Sequence, residues 1–272
     1  MGIGTEETRR FYDNIGWKVQ GNQPVDVNLF GVREDGPIRI ELHQRRRNRV
    51  RSALGANLNL LECGCGGSPA KWLLDNFEKY TGVDFSETGL DVARMSFKDV
   101  AKPHEFRLAD VCNLPFPDKS FDAVYSAHMI FHIADPSGQA AALHQMARVV
   151  RPGGKIVLIA ANPYPLLFLG QLARGIARDT PLIGSALNRI RKKAPLPYKP
   201  MPIGWMRRRL EQFGEVEVMT GALPTTYFNQ RVTEYSGIAK MLWKTIRWLD
   251  IHKPKLSAYL GNYVMLTCSK RT

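Results

Sequence analysis

The sequence predicts an α/β fold, a parallel sheet covered by helices on both faces, on the strength of three observations. From Leu58 onward, short apolar runs alternate with segments of helical spacing, the pattern of strands joined through helices. The first run, Leu58 to Leu61, ends in Glu62 and passes at once into a glycine-rich turn, Gly64, Gly66 and Gly67. The next two runs each end in an acid, Asp84 and Asp110. Strand, tight turn and helix start is the layout of a nucleotide-type ligand site: glycines let backbone approach a ligand where a Cβ would clash, and a helix start offers unpaired N–H groups.

Residues 5–20 read as a helix, with Thr5 as cap, Glu6 and Glu7 in the first turn, and an aromatic-heavy set of Phe11, Tyr12, Ile15 and Trp17. A loop of Gly, Asn, Pro and Asp follows, and then a second helix over 38–54. Its Arg45, Arg46, Arg47, Arg49 and Arg51 fit a solvated face better than a phosphate contact. Strands are predicted at 58–63, 80–85, 105–109, 121–126, 155–160, 215–219 and 262–268, and helices at 69–78, 87–100, 137–150 and 203–213. This divides the chain into a helical cap, 1–57, and a sheet domain, 58–272.

Two insertions interrupt the second half, at 163–202 and 222–258. In the first, Leu166, Leu169, Leu172 and Ile176 recur at helical spacing. A shorter pattern, Ile183, Leu187 and Ile190, ends in Arg191-Lys-Lys193, and Pro195, Pro197, Pro200 and Pro202 then make an extended connection. Apolar helical faces with basic flanks suit a lid over an apolar substrate or a contact with a membrane surface.

The chain has 272 residues and a net charge of +13. Residues 1–150 hold 18 Lys/Arg against 19 Asp/Glu, while residues 151–272 hold 20 against 6. The C-terminal half therefore expects a negative partner, such as an anionic membrane surface or a carrier-bound substrate. Four cysteines, at 63, 65, 112 and 268, form no Cys-x-x-Cys pair, which argues for a reducing compartment and against a zinc site. The N-terminus carries no apolar signal core. The uncharged run Ile156 to Ala173 contains Asn162, Pro163 and Pro165 and begins as a buried strand, so a membrane span is not expected. These features predict a cytoplasmic protein, peripheral to the membrane if it meets one.

The acids carry chemistry. Asp84 can accept both hydroxyls of a ribose, Asp110 can accept from an exocyclic amine, and Phe85 and Val111 can sandwich a purine. His128 and His132 follow the fourth strand, where an acceptor would meet the ligand. As an i,i+4 pair with no acid between them and no third ligand, they do not read as a metal site. His128 is the candidate general base. Asn162-Pro-Tyr-Pro165 follows the fifth strand, not the fourth, so it does not read as a nucleic-acid amino-methylation motif. Arg207-Arg-Arg209 begins an amphipathic helix with Leu210 and Phe213 inward.

In these pieces the chain resembles the class I S-adenosylmethionine-dependent methyltransferases, nearest the ubiquinone/menaquinone-biosynthesis-like small-molecule subgroup. The resemblance lies in Leu61-Glu-Cys-Gly-Cys-Gly66, Gly82-Val-Asp-Phe-Ser86, Ala109-Asp110, Leu114-Pro-Phe116, Ser120-Phe-Asp-Ala-Val124, His132 with Asp135, and Arg148-Val-Val-Arg-Pro-Gly-Gly154. It implies a Rossmann-like, seven-stranded, mostly parallel sheet and S-adenosyl-L-methionine as cofactor. It also implies that Glu62, Gly64 and Gly66 line the methionine end, that backbone near Ser126 and Ala127 meets the methionine amino group, and that Asp84 and Asp110 hold ribose and adenine. Tyr12 would close over the cofactor, and His132 stands where the family commonly has His. Ser68 replaces a frequent glycine. The motifs are silent on substrate, and three readings follow. The first is methylation of O, N or C of a small or amphipathic metabolite such as a natural product, quinone or lipid. The second is an RNA methyltransferase, against which there is no RNA-binding module. The third is a non-catalytic scaffold.

Overall fold

A computed structural model describes residues 3–14, 16–20, 23–26, 37–56, 58–166, 197–222 and 238–272. The chain opens with α1 (Ile3–Asn14), an antiparallel pair of β1 (Trp17–Gln20) and β2 (Gln23–Asp26), and α2 (Pro37–Leu54). The helix expected over 5–20 is shorter than its pattern. Gly16 N–H donates to the Phe11 carbonyl at 2.8 Å and closes it, and the chain turns into β1.

Seven strands form one sheet: β3 (Leu58–Cys63), β4 (Phe77–Asp84), β5 (His104–Leu108), β6 (Phe121–Ala127), β7 (Val150–Ala161), β8 (Gly214–Ala222) and β9 (Tyr263–Lys270). Their order is β5-β4-β3-β6-β7-β9-β8. The first five run parallel, and β9 lies antiparallel between β7 and β8. The expected seven-stranded, mostly parallel sheet is therefore present. The order reverses beside β3, between β4 and β6, the place where such sheets open a ligand crevice.

Burial explains the composition of the central strands. Ile156, Val157, Leu158 and Ile159 on β7 are all fully buried, because helices cover both faces. On one face α4 (Pro136–Val149), α5 (Ile203–Glu211) and α7 (Pro254–Leu260) pack over Leu61, Val124, Ile156, Leu158 and Leu266. On the other, α2 and α3 (Glu87–Phe97) pack over Leu60, Tyr80, Ala123, Tyr125 and Val157. Each fully buried Leu or Ile removes about 1.5–3 kcal/mol of apolar surface from water.

The helix expected at 69–78 is a second correction. Lys71–Asn76 form a short 3-10 helix, and β4 begins already at Phe77. Pro69 starts the tighter turn, with its carbonyl accepting from Lys71 N–H at 2.6 Å and that of Ala70 from Leu73 N–H at 2.8 Å. Phe77 is fully buried and pairs with Leu58, so sheet pairing takes it from the helix.

The arginine run is a third correction: it is not a solvated face. Arg45 and Arg49 both reach Asp250 on α6 (Ile238–His252), at 3.2 and 2.9 Å, and the Asp250 side chain is only 2% exposed. Arg49 also meets Asp250 with its other amino group, and Arg51 donates to the Trp72 carbonyl. Arg47 lies over the Trp72 ring. Apolar Leu42, Val50 and Leu54 recur on the inner side of α2, so most arginines of the run touch protein.

Of the insertions, residues 167–196 and 223–237 lie outside the described residues, and with them the helical patterns expected over 169–193. The described ends of the first insertion are tied down. Leu166 N–H donates to the Tyr259 carbonyl at 3.3 Å, and Lys199 N–H donates to the Phe131 carbonyl at 2.7 Å. No helix among the described residues is long and apolar enough to cross a membrane.

Candidate functional site

The site is built from the carboxyl ends of β3, β4 and β6. After β3 the chain turns through Gly64 (φ +73°) and Gly66 (φ +49°), conformations that side-chain-bearing residues rarely adopt. A Cβ on Gly64 would also run into the Met129 side chain. The turn is held from beneath: Gly64 and Cys65 N–H donate to the Val83 carbonyl at 2.8 and 3.1 Å.

Two buried carboxylates complete the hold. Asp84 accepts from Gly66 N–H at 2.8 Å with one oxygen and from Ser86 N–H at 3.0 Å with the other. Glu62 accepts from Ala70 N–H at 2.8 Å and from the Tyr80 hydroxyl. The N–H groups expected to be free at a helix start are thus partly engaged, and the loop is a braced cradle rather than a helix N-terminus. Among the described residues, no Lys or Arg pairs with either acid. Burial without a cation pushes Glu62 up to about 7 and Asp84 up to about 6.

Beyond β5, Asp110 caps a 3-10 turn by accepting from Cys112 N–H at 2.8 Å, which leaves its second oxygen for another donor, and Val111 beside it is buried. Phe85 stands at the end of β4, 6.4 Å from the Tyr12 ring. Helix α1 lies across this end of the sheet and is fastened on both sides. Thr8 donates to the His132 carbonyl at 3.2 Å, while Asp13 accepts from the Ser86 hydroxyl at 2.7 Å. Tyr12 sits between, with the His132 ring at 6.3 Å. His132 itself donates Nδ1–H to the Pro197 carbonyl at 2.9 Å, which ties the turn after β6 to the far end of the first insertion.

His128, one residue past Ala127 at the end of β6, has φ +58°, a strained conformation for a residue with a side chain. Its ring meets Tyr263 edge-on at 4.6 Å. Its Nε2 lies 2.8 Å from an Arg46 amino group, and the other amino group of Arg46 lies 3.3 Å from His43 Nδ1. A guanidinium only donates, so His128 Nε2 accepts and the ring is neutral. Burial first, then Arg46 and His43, hold its pKa well below the ordinary histidine value.

Arg46 and His43 are site residues that the sequence reading missed. The signal was there: Arg46 falls four residues after Leu42 and four before Val50, on the apolar stripe of α2 rather than off it. Asn162 has a different role from the motif it resembles. Its amide donates to the Gly261 and Tyr259 carbonyls at 2.9 and 3.2 Å and accepts from Tyr164 N–H at 3.0 Å, stapling the end of β7 to the turn before β9. The cysteines are free, and burial pushes their thiols up, Cys268 to about 11, so they are unreactive.

This architecture and cradle define a nucleoside-cofactor transferase class, and the comparisons with known proteins agree. The methyltransferase-domain family matches residues 61–158. A fatty-acid O-methyltransferase from Mycolicibacterium smegmatis is 30% identical over 198 residues, covering 59% of this chain and 69% of that protein. A ubiquinone biosynthesis O-methyltransferase from Alkalilimnicola ehrlichii is 32% identical over 133 residues, covering 47% and 53%. The chain spans about half the length, 43% and 53%, of the first curated relatives it matches. The crystal structure of a geranyl diphosphate C-methyltransferase from Streptomyces coelicolor has the same fold, with a TM-score of 0.59, 15% identity, and 99% and 98% of the two chains covered. The chain belongs to the class I S-adenosylmethionine-dependent methyltransferases.

Proposed function

We propose that this protein transfers a methyl group from S-adenosyl-L-methionine to O, N or C of a small-molecule or amphipathic acceptor. One observation carries the reading: two buried acids at successive strand ends, Glu62 and Asp84, have no cation beside them among the described residues and brace a turn of positive-φ glycines. The residues suit the cofactor. Asp84 retains lone pairs for ribose hydroxyls and Asp110 for the adenine amine, with Phe85 and Val111 on either side of the base. Glu62, Gly64, Gly66 and the backbone at Ala127 face the methionine end. Arg46, whose guanidinium touches two imidazole nitrogens and no carboxylate among the described residues, suits the methionine carboxylate.

When bound, the cofactor supplies an activated methyl group on sulfonium, so the protein's task is placement. Tyr12 covers the crevice from α1 with the His132 ring beside it, and the Thr8 and Asp13 side chains fasten α1 to the turn after β6 and to Ser86. His128 accepts from Arg46, which makes it an orienting group for Arg46 and a candidate base for an acceptor that carries a proton. An acceptor already ionised at neutral pH needs no base. The relatives named for fatty acids and for ubiquinone biosynthesis favour an amphipathic acceptor, and the basic C-terminal half suits one presented on a carrier or an anionic membrane surface. The insertions at 163–202 and 222–258 stand where a lid over such an acceptor belongs in the chain.

Isothermal titration with S-adenosylhomocysteine tests the site. Asp84→Ala is expected to weaken binding by about 1–3 kcal/mol, the size of a lost charged acceptor, and Arg46→Gln by a similar amount. Wild-type protein that fails to bind, or an Asp84→Ala variant that binds unchanged, overturns the assignment. Mass spectrometry of metabolite pools incubated with a labelled methyl donor then reports turnover and distinguishes an enzyme from a scaffold.

A further inference from the structure

Ile40, Met95, Leu108 and Tyr198 are exposed singly, but the other large apolar side chains exposed among the described residues gather in one region. Met241, Trp248 and Ile251 on α6, and Leu256 and Tyr259 on α7, are between 43% and 63% exposed. Leu166, 53% exposed, joins them, because its N–H bonds to the Tyr259 carbonyl. Single exposed apolar residues need no explanation, but a contiguous set does.

The periodicity of α6 shows that this face is distinct from the one that packs. Its inner side is Trp243, Ile246 and Asp250, with Ile246 buried and Asp250 locked to Arg45 and Arg49 on α2. The outer stripe runs Met241, Lys244, Trp248, Ile251, at offsets of three, seven and ten residues. The exposed charges that α6 and α7 themselves carry here have one sign. Over residues 241–260 the single acid is Asp250, and it is buried; Lys244, Arg247, Lys253 and Lys255 are exposed. Arg247 and Lys255 make exposed ion pairs with Glu41 and Glu217, which solvent weakens.

From this we infer that the outer face of α6 and α7 docks on an anionic lipid surface, with Trp248 and Ile251 entering the headgroup boundary. The charge pattern selects this occupant. A second copy packed across a two-fold axis would set Lys244, Lys253 and Lys255 against their own counterparts. A protein partner's buried centre is depleted in lysine, whereas here lysines alternate with the apolar side chains. An interfacial helix has this composition: Trp and aliphatic residues that bury shallowly, and lysines that reach the lipid phosphates. The inference extends the amphipathic-acceptor reading to the place where such an acceptor is met, and it stands apart from methyl transfer because vesicle binding is measured without cofactor.

The test is co-sedimentation of the full chain with vesicles of phosphatidylcholine alone and of phosphatidylcholine mixed with phosphatidylglycerol. Binding to the mixed vesicles at least tenfold tighter than to the neutral ones is expected, weakening steeply with added salt. The double variant Trp248→Ala/Ile251→Ser and the charge-reversal variant Lys244→Glu/Lys253→Glu are each expected to lose tenfold or more. All four positions are exposed, so unchanged melting temperatures will show that the variants are folded. Equal binding to both vesicle types, no binding, or full binding by the variants overturns the inference; the last would move the contact to the basic flank of the first insertion. Wild-type protein that sediments as a dimer in solution, with the double variant a monomer, overturns it in favour of a second copy.

Discussion

The two sides of the crevice carry opposite uncompensated charges. At the ends of β3 and β4, Glu62 and Asp84 are buried with N–H and O–H donors but, among the described residues, no cation. Across the end of β6, Arg46 is held by two imidazoles and, among the described residues, no acid. Elsewhere on the same helix the pattern is the reverse, since Arg45 and Arg49 share the buried Asp250. Isolated buried charge is expensive and is normally paired. An acid side and a basic side without counter-ions among the described residues, beside arginines that are paired, would suit the proposed ligand, which carries both signs. An amino-acid end with an ammonium, a carboxylate and a sulfonium is such a ligand.

The largest effect is expected at the paired arginines. Asp250→Ala takes the carboxylate from Arg49 and leaves Arg45 to Glu41, at 2.8 Å, and is expected to destabilise the fold by about 3 kcal/mol. Denaturant unfolding that shows a loss below about 1 kcal/mol would mean that pairing on α2 has no energetic weight. Next in size is Glu62→Gln. Between pH 4.5 and 7 the folded chain keeps a proton on Glu62 that the unfolded chain has released, so stability falls as pH rises through this window. Glu62→Gln, which keeps the acceptor for Ala70, is expected to raise the stability of ligand-free protein at pH 8 by about 2 kcal/mol and to flatten that slope. Melting curves across pH check it; identical slopes in variant and parent would show that the acid is compensated after all. Smallest is Gly64→Ala, where a side chain meets φ +73° and Met129 at once. A loss of about 1 kcal/mol in stability, with weaker S-adenosylhomocysteine binding, is expected from thermal shift.

Much of this was legible in the sequence, because alternation, turn glycines and strand-end acids are local signals. The seven strands fall within a few residues of their predicted places, and Asp84 and Asp110 stand at strand ends as expected. The segment after the glycine turn was misread, since Leu73, Leu74 and Phe77 have helical spacing while Phe77 is claimed by a partner strand. Pro69 and the early start of β4 leave room only for a 3-10 helix. The arginine run was misread for a related reason. Composition says that five arginines on one helix are exposed, but Asp250, some two hundred residues later, faces two of them and His128 faces a third. Such partners are invisible to any window of sequence. The neutral state of His128 likewise depends on Arg46 and on burial, neither of which can be read from the residues around position 128.

The stitching at Leu166 and Lys199 has a consequence for how the first insertion is anchored. Both points hang on fixed framework, the former on the last turn of α7 and the latter on the turn after β6, where Gln139 on α4 adds a second hold by donating to the Lys199 carbonyl at 2.7 Å. These two points fix where the first insertion leaves the sheet domain and where it returns, whatever sequence lies between them.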